Sequence, residues 1–153
     1  MKKLLIIFIV LSVSNCSLYS QNKTIKGKVI TEYLDTLPYT LIFVNDTVTL
    51  GRTDFNGFFQ IDIPISMEKI SFANVGFEPA TIELGDSCDE VEVVMMYNVT
   101  YDFKTLKKVD RLRMKRFKKL PELHRNAFEK GLFKTDMACY TQEFMPYLKK
   151  KQK

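Results

Sequence analysis

The sequence predicts a mainly β chain, a seven-stranded antiparallel β-sandwich followed by a basic α-helical C-terminal extension. Three observations lead there. Residues 24–97 break into seven short segments rich in β-branched and aromatic residues, bounded by Gly, Pro, Asn, Asp and Ser, which is the rhythm of a sandwich. The stretch Gly51-Arg52-Thr53-Asp54-Phe55-Asn56-Gly57-Phe58-Phe59-Gln60-Ile61 reads as a strand end, a tight turn and the start of the next strand. Such a hairpin has one apolar face and needs a second layer to bury it. From Asp102 onward the apolar period lengthens to that of a helix and the charge changes sign.

A chain of 153 residues has room for one domain of ordinary size and an appendage. We divide it into a signal peptide (1–20), a sandwich domain (21–101) and a basic helical extension (102–153). Lys2 and Lys3 precede an apolar run from Leu4 to Val13, followed by small and polar residues. These are an n-region, an h-region and a cleavage zone, and the run is too short to span a bilayer well. Cleavage before Gln21 puts Ser20 at −1 and the less suitable Leu18 at −3. A rival reading takes Val13-Ser14-Asn15-Cys16, which resembles a bacterial lipoprotein box, and makes Cys16 a lipidated N-terminus; Asn15 stands where Gly, Ala or Ser is usual. Both readings export the chain to the periplasm, the outer membrane or the exterior. Cys88 and Cys139 then remain. An even pair in an exported protein allows a disulfide. Yet Cys88 lies in a polar turn and Cys139 far along the tail, and two isolated thiols fit at least as well.

Thr24 to Thr31 alternates, with Ile25, Gly27 and Val29 on one side and Lys26, Lys28 and Ile30 on the other, and is the first strand. Tyr33 to Leu37 is a loop ended by Pro38; Tyr39 to Val44 is the second strand; Asn45-Asp46 turns the chain; Thr47 to Thr53 is the third. In the next turn Asn56-Gly57 can take positive φ at little cost, and Asp54 can accept hydrogen bonds from the backbone folding over it. Phe58 to Ile63 is the fourth strand, with Phe59, Ile61 and Ile63 alternating with Gln60 and Asp62, and Pro64 stops it for want of an N–H. Glu68 to Ala73 is the fifth, with Ile70 and Phe72 inward. In Asn74-Val75-Gly76-Phe77, Gly76 marks special backbone geometry or close packing. Pro79 to Leu84 is the sixth strand and Gly85-Asp86-Ser87 a turn. Glu90 to Tyr97 is the seventh, with Val91, Val93 and Met95 opposite Glu92, Val94 and Met96. Burying about ten large apolar side chains at roughly 1.5–3 kcal/mol each suffices for a core of this size.

Beyond Asp102, Phe103, Leu106, Val109, Leu112 and Leu120 fall at helical spacings, with Met114 and Phe117 beside the stripe. Between them stand Lys104, Lys107, Lys108, Arg111, Arg113, Lys115, Arg116, Lys118 and Lys119. Pro121 ends this helix and opens a second, Glu122 to Lys130, with Gly131 as its C-cap, and a third helical piece is expected from Asp136 to Phe144. Pro146 and Lys149-Lys150-Lys151 suggest a frayed end. Residues 21–101 carry 5 basic and 12 acidic side chains, net −7; residues 102–153 carry 16 and 6, net +10.

Gly27-Lys28-Val29, Leu37-Pro38, Thr53-Asp54-Phe55-Asn56-Gly57-Phe58-Phe59 and Val75-Gly76-Phe77, in that order, resemble the carboxypeptidase regulatory-like domain common in exported proteins of the Bacteroidetes. The resemblance covers about residues 24–97 and departs at Tyr39-Thr40, where the family usually carries Gly-Ala. It implies a prealbumin-like sandwich of the kind that follows the catalytic domain of some zinc carboxypeptidases and precedes many TonB-dependent receptors. It implies no active site.

The residues themselves point away from catalysis. A zinc peptidase of that type needs two His and a Glu around an open position, and this chain has one His, His124, on an expected exposed helix. Serine hydrolysis wants a His base as well, and no Gly-x-Ser-x-Gly is present. Neither Cys88 nor Cys139 has a motif pairing it with His124, and no glycine loop for phosphate occurs. Asp54, Asn56 and Asp62 lack the other ligands of a calcium loop. Thr53, Asp54, Asn56, Gly57 and Gly76 are therefore read as structural turn residues. No cofactor or metal is expected.

Three partners suit the basic helix: anionic lipid headgroups, the acidic sandwich itself or an envelope protein, and nucleic acid. The export signal and the few aromatics on the basic face argue against nucleic acid. Asp35-Thr36-Leu37 and Asp46-Thr47-Val48 resemble the O-glycosylation motif of exported Bacteroidetes proteins, at Thr36 and Thr47. Asn22-Lys23-Thr24, Asn45-Asp46-Thr47 and Asn98-Val99-Thr100 match a eukaryotic sequon that a bacterial origin makes irrelevant. The expected function is a non-catalytic binding or assembly module of the bacterial cell envelope, acting through the sandwich and the basic helix. The alternative is a glycan- or peptide-binding accessory of outer-membrane nutrient uptake, with Tyr33, Tyr39 and Phe77 as sugar contacts.

Overall fold

The structure, a computed structural model, describes residues 22–44, 48–85 and 87–148. The expected signal peptide, the cleavage point before Gln21, Cys16, Thr47 and the terminal lysines lie outside these residues. Among the described residues the chain forms β1 (Asn22–Thr31), β2 (Leu41–Val44), β3 (Val48–Arg52), β4 (Phe58–Pro64), β5 (Lys69–Ala73), β6 (Ala80–Leu84), β7 (Glu90–Met95), α1 (Leu106–Phe117), α2 (Leu120–Glu129) and β8 (Tyr140–Glu143). The first seven strands stand where the alternation places them.

The strands make two sheets, one ordered β4-β1-β7 and the other β3-β2-β5-β6-β8. Ile25, Val29, Val91, Val93 and Met95 of the first pack on Ile42, Ile70, Phe72 and Ile82 of the second, joined by Phe59, Ile61 and Ile63 from β4. Phe59 meets Phe72 edge to face at 5.5 Å. The alternation of β4 between buried and exposed positions is the period-2 pattern of a half-wet strand.

Four expectations are corrected. First, the strands are not all antiparallel: β1 and β7 pair in parallel, Gly27 opposite Val91 and Thr31 opposite Met95. A parallel pair requires a long crossover, and here the crossover is β2 to β6. Second, residues 51–61 are not a hairpin, because β3 and β4 belong to different sheets. They form a corner that carries the chain between layers, wedged by the loop at Leu37. Leu37 N donates to Val29 O at 3.1 Å, Val29 N to Gly57 O at 2.8 Å, and Thr53 Oγ1 to Leu37 O at 2.9 Å. The turn chemistry is otherwise as read. Asp54 Oδ1 accepts from Asn56 N and Phe58 N, each at 2.8 Å. Positive φ falls on Gly57 alone (+80°), where a Cβ would stand 2.6 Å from Val29 O. Asp54→Ala is expected to lower stability by about 1–2 kcal/mol, two exposed charge-assisted hydrogen bonds. Urea unfolding reads it, and an unchanged midpoint would remove Asp54 from the account.

Third, residues 136–144 are not helical. Tyr140–Glu143 pairs antiparallel with β6, Leu84 opposite Tyr140 and Thr81 opposite Glu143, as an eighth strand. The open edge of β6 decides this, since a waiting ladder overrides weak local preference. Fourth, Cys88 and Cys139 are not isolated thiols. They form a disulfide with Cα atoms 5.3 Å apart, placing Cys139 just ahead of β8.

The helices cover the outer face of the three-stranded sheet, where Ile30, Val94 and Met96 pack against Leu120, Ala127 and Phe133. Their apolar stripe differs from the expected one: Phe103 and Leu106 are exposed, while Val109 and Arg113 point inward. Pro121 sits in the first turn of α2, where its missing N–H is harmless. Gly131 takes φ +70°, its N–H bonds Phe128 O, and Leu132 N bonds Ala127 O, a Schellman closure.

Candidate functional site

Charged side chains, rather than apolar ones alone, seat the extension. Arg113 is 4% exposed. Its Nε and Nη2 donate to the two oxygens of Glu78 at 3.0 and 2.9 Å, and its Nη1 donates to Asp110 Oδ1 at 3.2 Å and Met145 O at 2.9 Å. The guanidinium lies 3.9 Å over the Tyr147 ring. Asp110 also accepts from Tyr147 N and Leu148 N. Burial works against its charge, but these two N–H groups and Arg113 hold its carboxyl below the usual range. Arg116 pairs with Glu32 and donates to Tyr97 O at 2.9 Å. Glu92, on the outer face of β7, is buried and accepts from Lys134 N at 2.6 Å and from Thr135 N and Oγ1 at 3.2 and 2.9 Å.

These anchors leave a groove of about 610 Å³ between β7, the two helices and the segment leading into β8. Val94, Met114, Phe117, Leu120, Pro121, Met137, Ala138 and Tyr140 make its walls mainly apolar; Lys118, Arg125, Asp136 and His124 also line it. Tyr140 donates to Glu92 O at 2.7 Å, and burial raises its phenol pKa. Among the described residues Lys118, Arg125 and Asp136 form no ion pair.

His124 is not the exposed helix residue expected. It is 4% exposed, its ring 4.8 Å from that of Phe133. The spacing Leu120, His124, Ala127 turns all three toward the sheet, and that spacing was a signal available in the sequence. Its Nε2 is sealed from solvent with no hydrogen-bond partner among the described residues, so no hydroxyl or thiol is set against that nitrogen. Burial depresses its pKa, opposed by the charges of Glu92 and Asp136. Below about pH 6.5, the ordinary imidazole value, an unfolded chain takes up a proton that the folded one resists. Stability should therefore fall as pH drops through that window. The urea midpoint of the wild type should fall more between pH 7.5 and 5.5 than that of His124→Gln; equal falls would refute the assignment.

The other predicted site residues fall in separate places. Thr53, Asp54, Asn56 and Gly57 gather in the corner. Gly76 has φ +85° and open space around it. Thr36 is exposed, in an isolated bridge to Ile30. Tyr33 and Phe77 both meet Tyr97, with ring centroids at 5.4 and 4.4 Å, so two of the three aromatics join a ladder through Tyr97, the end of the expected seventh strand. Tyr39 stands apart from it, with φ +56° and Arg52 over its ring at 5.6 Å. Among the described residues no group of His, Cys, Asp or Glu is arranged to hold a metal ion, and no helix is long and apolar enough to cross a membrane. Compared with known proteins, the chain matches no family model and no curated protein.

Proposed function

We propose that this protein is a non-catalytic binding module of the bacterial cell envelope, with its ligand site in the groove beneath the C-terminal segment. The groove carries the reading: about 610 Å³, mainly apolar, with a few polar groups converging on it, falls in the range of roughly 300–1,000 Å³ typical of small-molecule sites. The sandwich is read as prealbumin-type, a carboxypeptidase regulatory-like domain whose sheet gains β8 at an edge. The Cys88–Cys139 disulfide supports export, since such bonds persist in oxidising compartments. With Arg113 and Arg116 engaged inward, α1 still exposes Lys107, Lys108, Arg111 and Lys115, which suits an acidic envelope partner or anionic membrane surface.

The test compares wild type with Ala138→Trp, which fills the groove from its exposed rim. Both are purified from native envelopes, and the small molecules and cross-linked proteins they carry are identified by mass spectrometry. A species lost from the variant supports the reading. Identical sets in both, or turnover of any substrate, defeats it.

A second reading rests on the Tyr33–Tyr97–Phe77 ladder, three tilted rings in contact that offer aromatic surface to a sugar ring. Under it the protein is a glycan- or peptide-binding accessory of nutrient uptake. Tyr33→Ala should then abolish retention on a glycan array, and a glycan-binding wild type unaffected by that change would exclude the ladder.

A further inference from the structure

We propose that the groove holds the acyl chain of a single-chain amphiphile with an anionic head, a long-chain carboxylate. This rests on the reading of the groove as the binding site and adds the chemical class of its ligand. The walls favour a chain over a rigid ring. Met114 and Met137, with Val94, Phe117 and Leu120, present flexible thioethers and aliphatic surface, which repack around a mobile ligand more easily than a fixed aromatic slot does.

The head is assigned by the cations that line the groove where α1 gives way to α2. Lys118 and Arg125 line the groove and form no ion pair among the described residues, so two cations face a single lining carboxylate, Asp136. His124, 4% exposed, lines the same groove from the inward face of α2. A neutral alcohol of the same chain gains from the walls and not from the cations.

The full oxidised protein is titrated with cis-parinarate, a fluorescent polyene carboxylate, and the probe is then displaced by palmitate, by 1-hexadecanol, or by phosphatidylglycerol vesicles. Palmitate is expected to displace it roughly tenfold better than hexadecanol, as one favourable charge contact implies. In Lys118→Gln/Arg125→Gln the advantage should vanish while hexadecanol displacement stays the same. Ala138→Trp should abolish probe binding with an unchanged melting curve. Hexadecanol equal to palmitate, with both blocked by Ala138→Trp, would overturn the anionic head and leave the groove reading standing. Probe binding unaffected by Ala138→Trp, displacement by vesicles alone, or no probe binding at all would overturn the proposal. Whether the groove serves another ligand is then decided by the envelope comparison above.

Discussion

Gly27→Ala is expected to abolish folding. A Cβ there would stand 1.7 Å from Val91 O, 2.7 Å from Val91 C and 2.9 Å from Phe59 Cζ. The first two are backbone atoms of β7, held opposite Gly27 by the parallel register and by Lys26 N donating to Asp89 O at 2.9 Å. No rotamer change relieves such an overlap. The central strand must part from β7, and the core face carrying Ile25, Val29, Val91 and Val93 opens with it. The loss should exceed about 4–5 kcal/mol, the exceptional end of single substitutions, and consume most of a small domain's stability. Gly76→Ala is the control: φ is +85° but nothing lies near, so only the left-handed backbone is penalised, by about 1–2 kcal/mol. Urea unfolding of both variants separates the cases. A Gly27→Ala midpoint close to that of Gly76→Ala would mean that the two strands are not in contact at that point.

Arg113→Leu should be nearly as damaging. The side chain joins Glu78, Asp110 and the backbone at Met145 from a position almost wholly out of water. Removing it leaves the buried Glu78 carboxylate with only Arg116 Nη1, 3.9 Å from Oε1, as a counter-charge and without its two hydrogen bonds, at about 3–5 kcal/mol. The companion Glu78→Leu/Arg113→Leu variant should recover much of that loss, because apolar side chains of similar volume often replace a buried pair without penalty. Asp110 would keep the N–H groups of Tyr147 and Leu148 in both. A cycle through the four proteins measures the coupling; additive losses would mean that the pair contributes nothing as a pair.

These positions mark how far the sequence could be read. The first seven strands were legible because each shows its own face: β4 alternates Phe59, Ile61 and Ile63 against Gln60 and Asp62 without help from elsewhere. Gly131 and the α2 start were legible for the same reason, since caps and prolines act within a turn. Partner choice was not. Whether β1 takes β7 in parallel depends on a neighbour beyond five intervening strands, and a corner at 51–61 uses the same residues as a hairpin would. Arg113 reads as one of many solvated cations because its reason for being buried, Glu78, lies in the distant connection between β5 and β6. Of the candidate site, only the inward spacing of Leu120, His124 and Ala127 was written locally. The groove's remaining walls come from four separate pieces of chain.

The union of β8 with β6 has a bearing on how the molecule assembles. Leu84 is synthesised well before Tyr140, the residue it finally faces. In the interval β6 offers bare N–H and C=O groups to any other extended chain, a template for joining one copy to the next. Joint oxidation of Cys88 and Cys139 to the disulfide, with a thiol oxidant of the compartment taking up the two electrons, makes the late arrival permanent. Cells deprived of thiol oxidants should accordingly accumulate this chain as edge-joined aggregates.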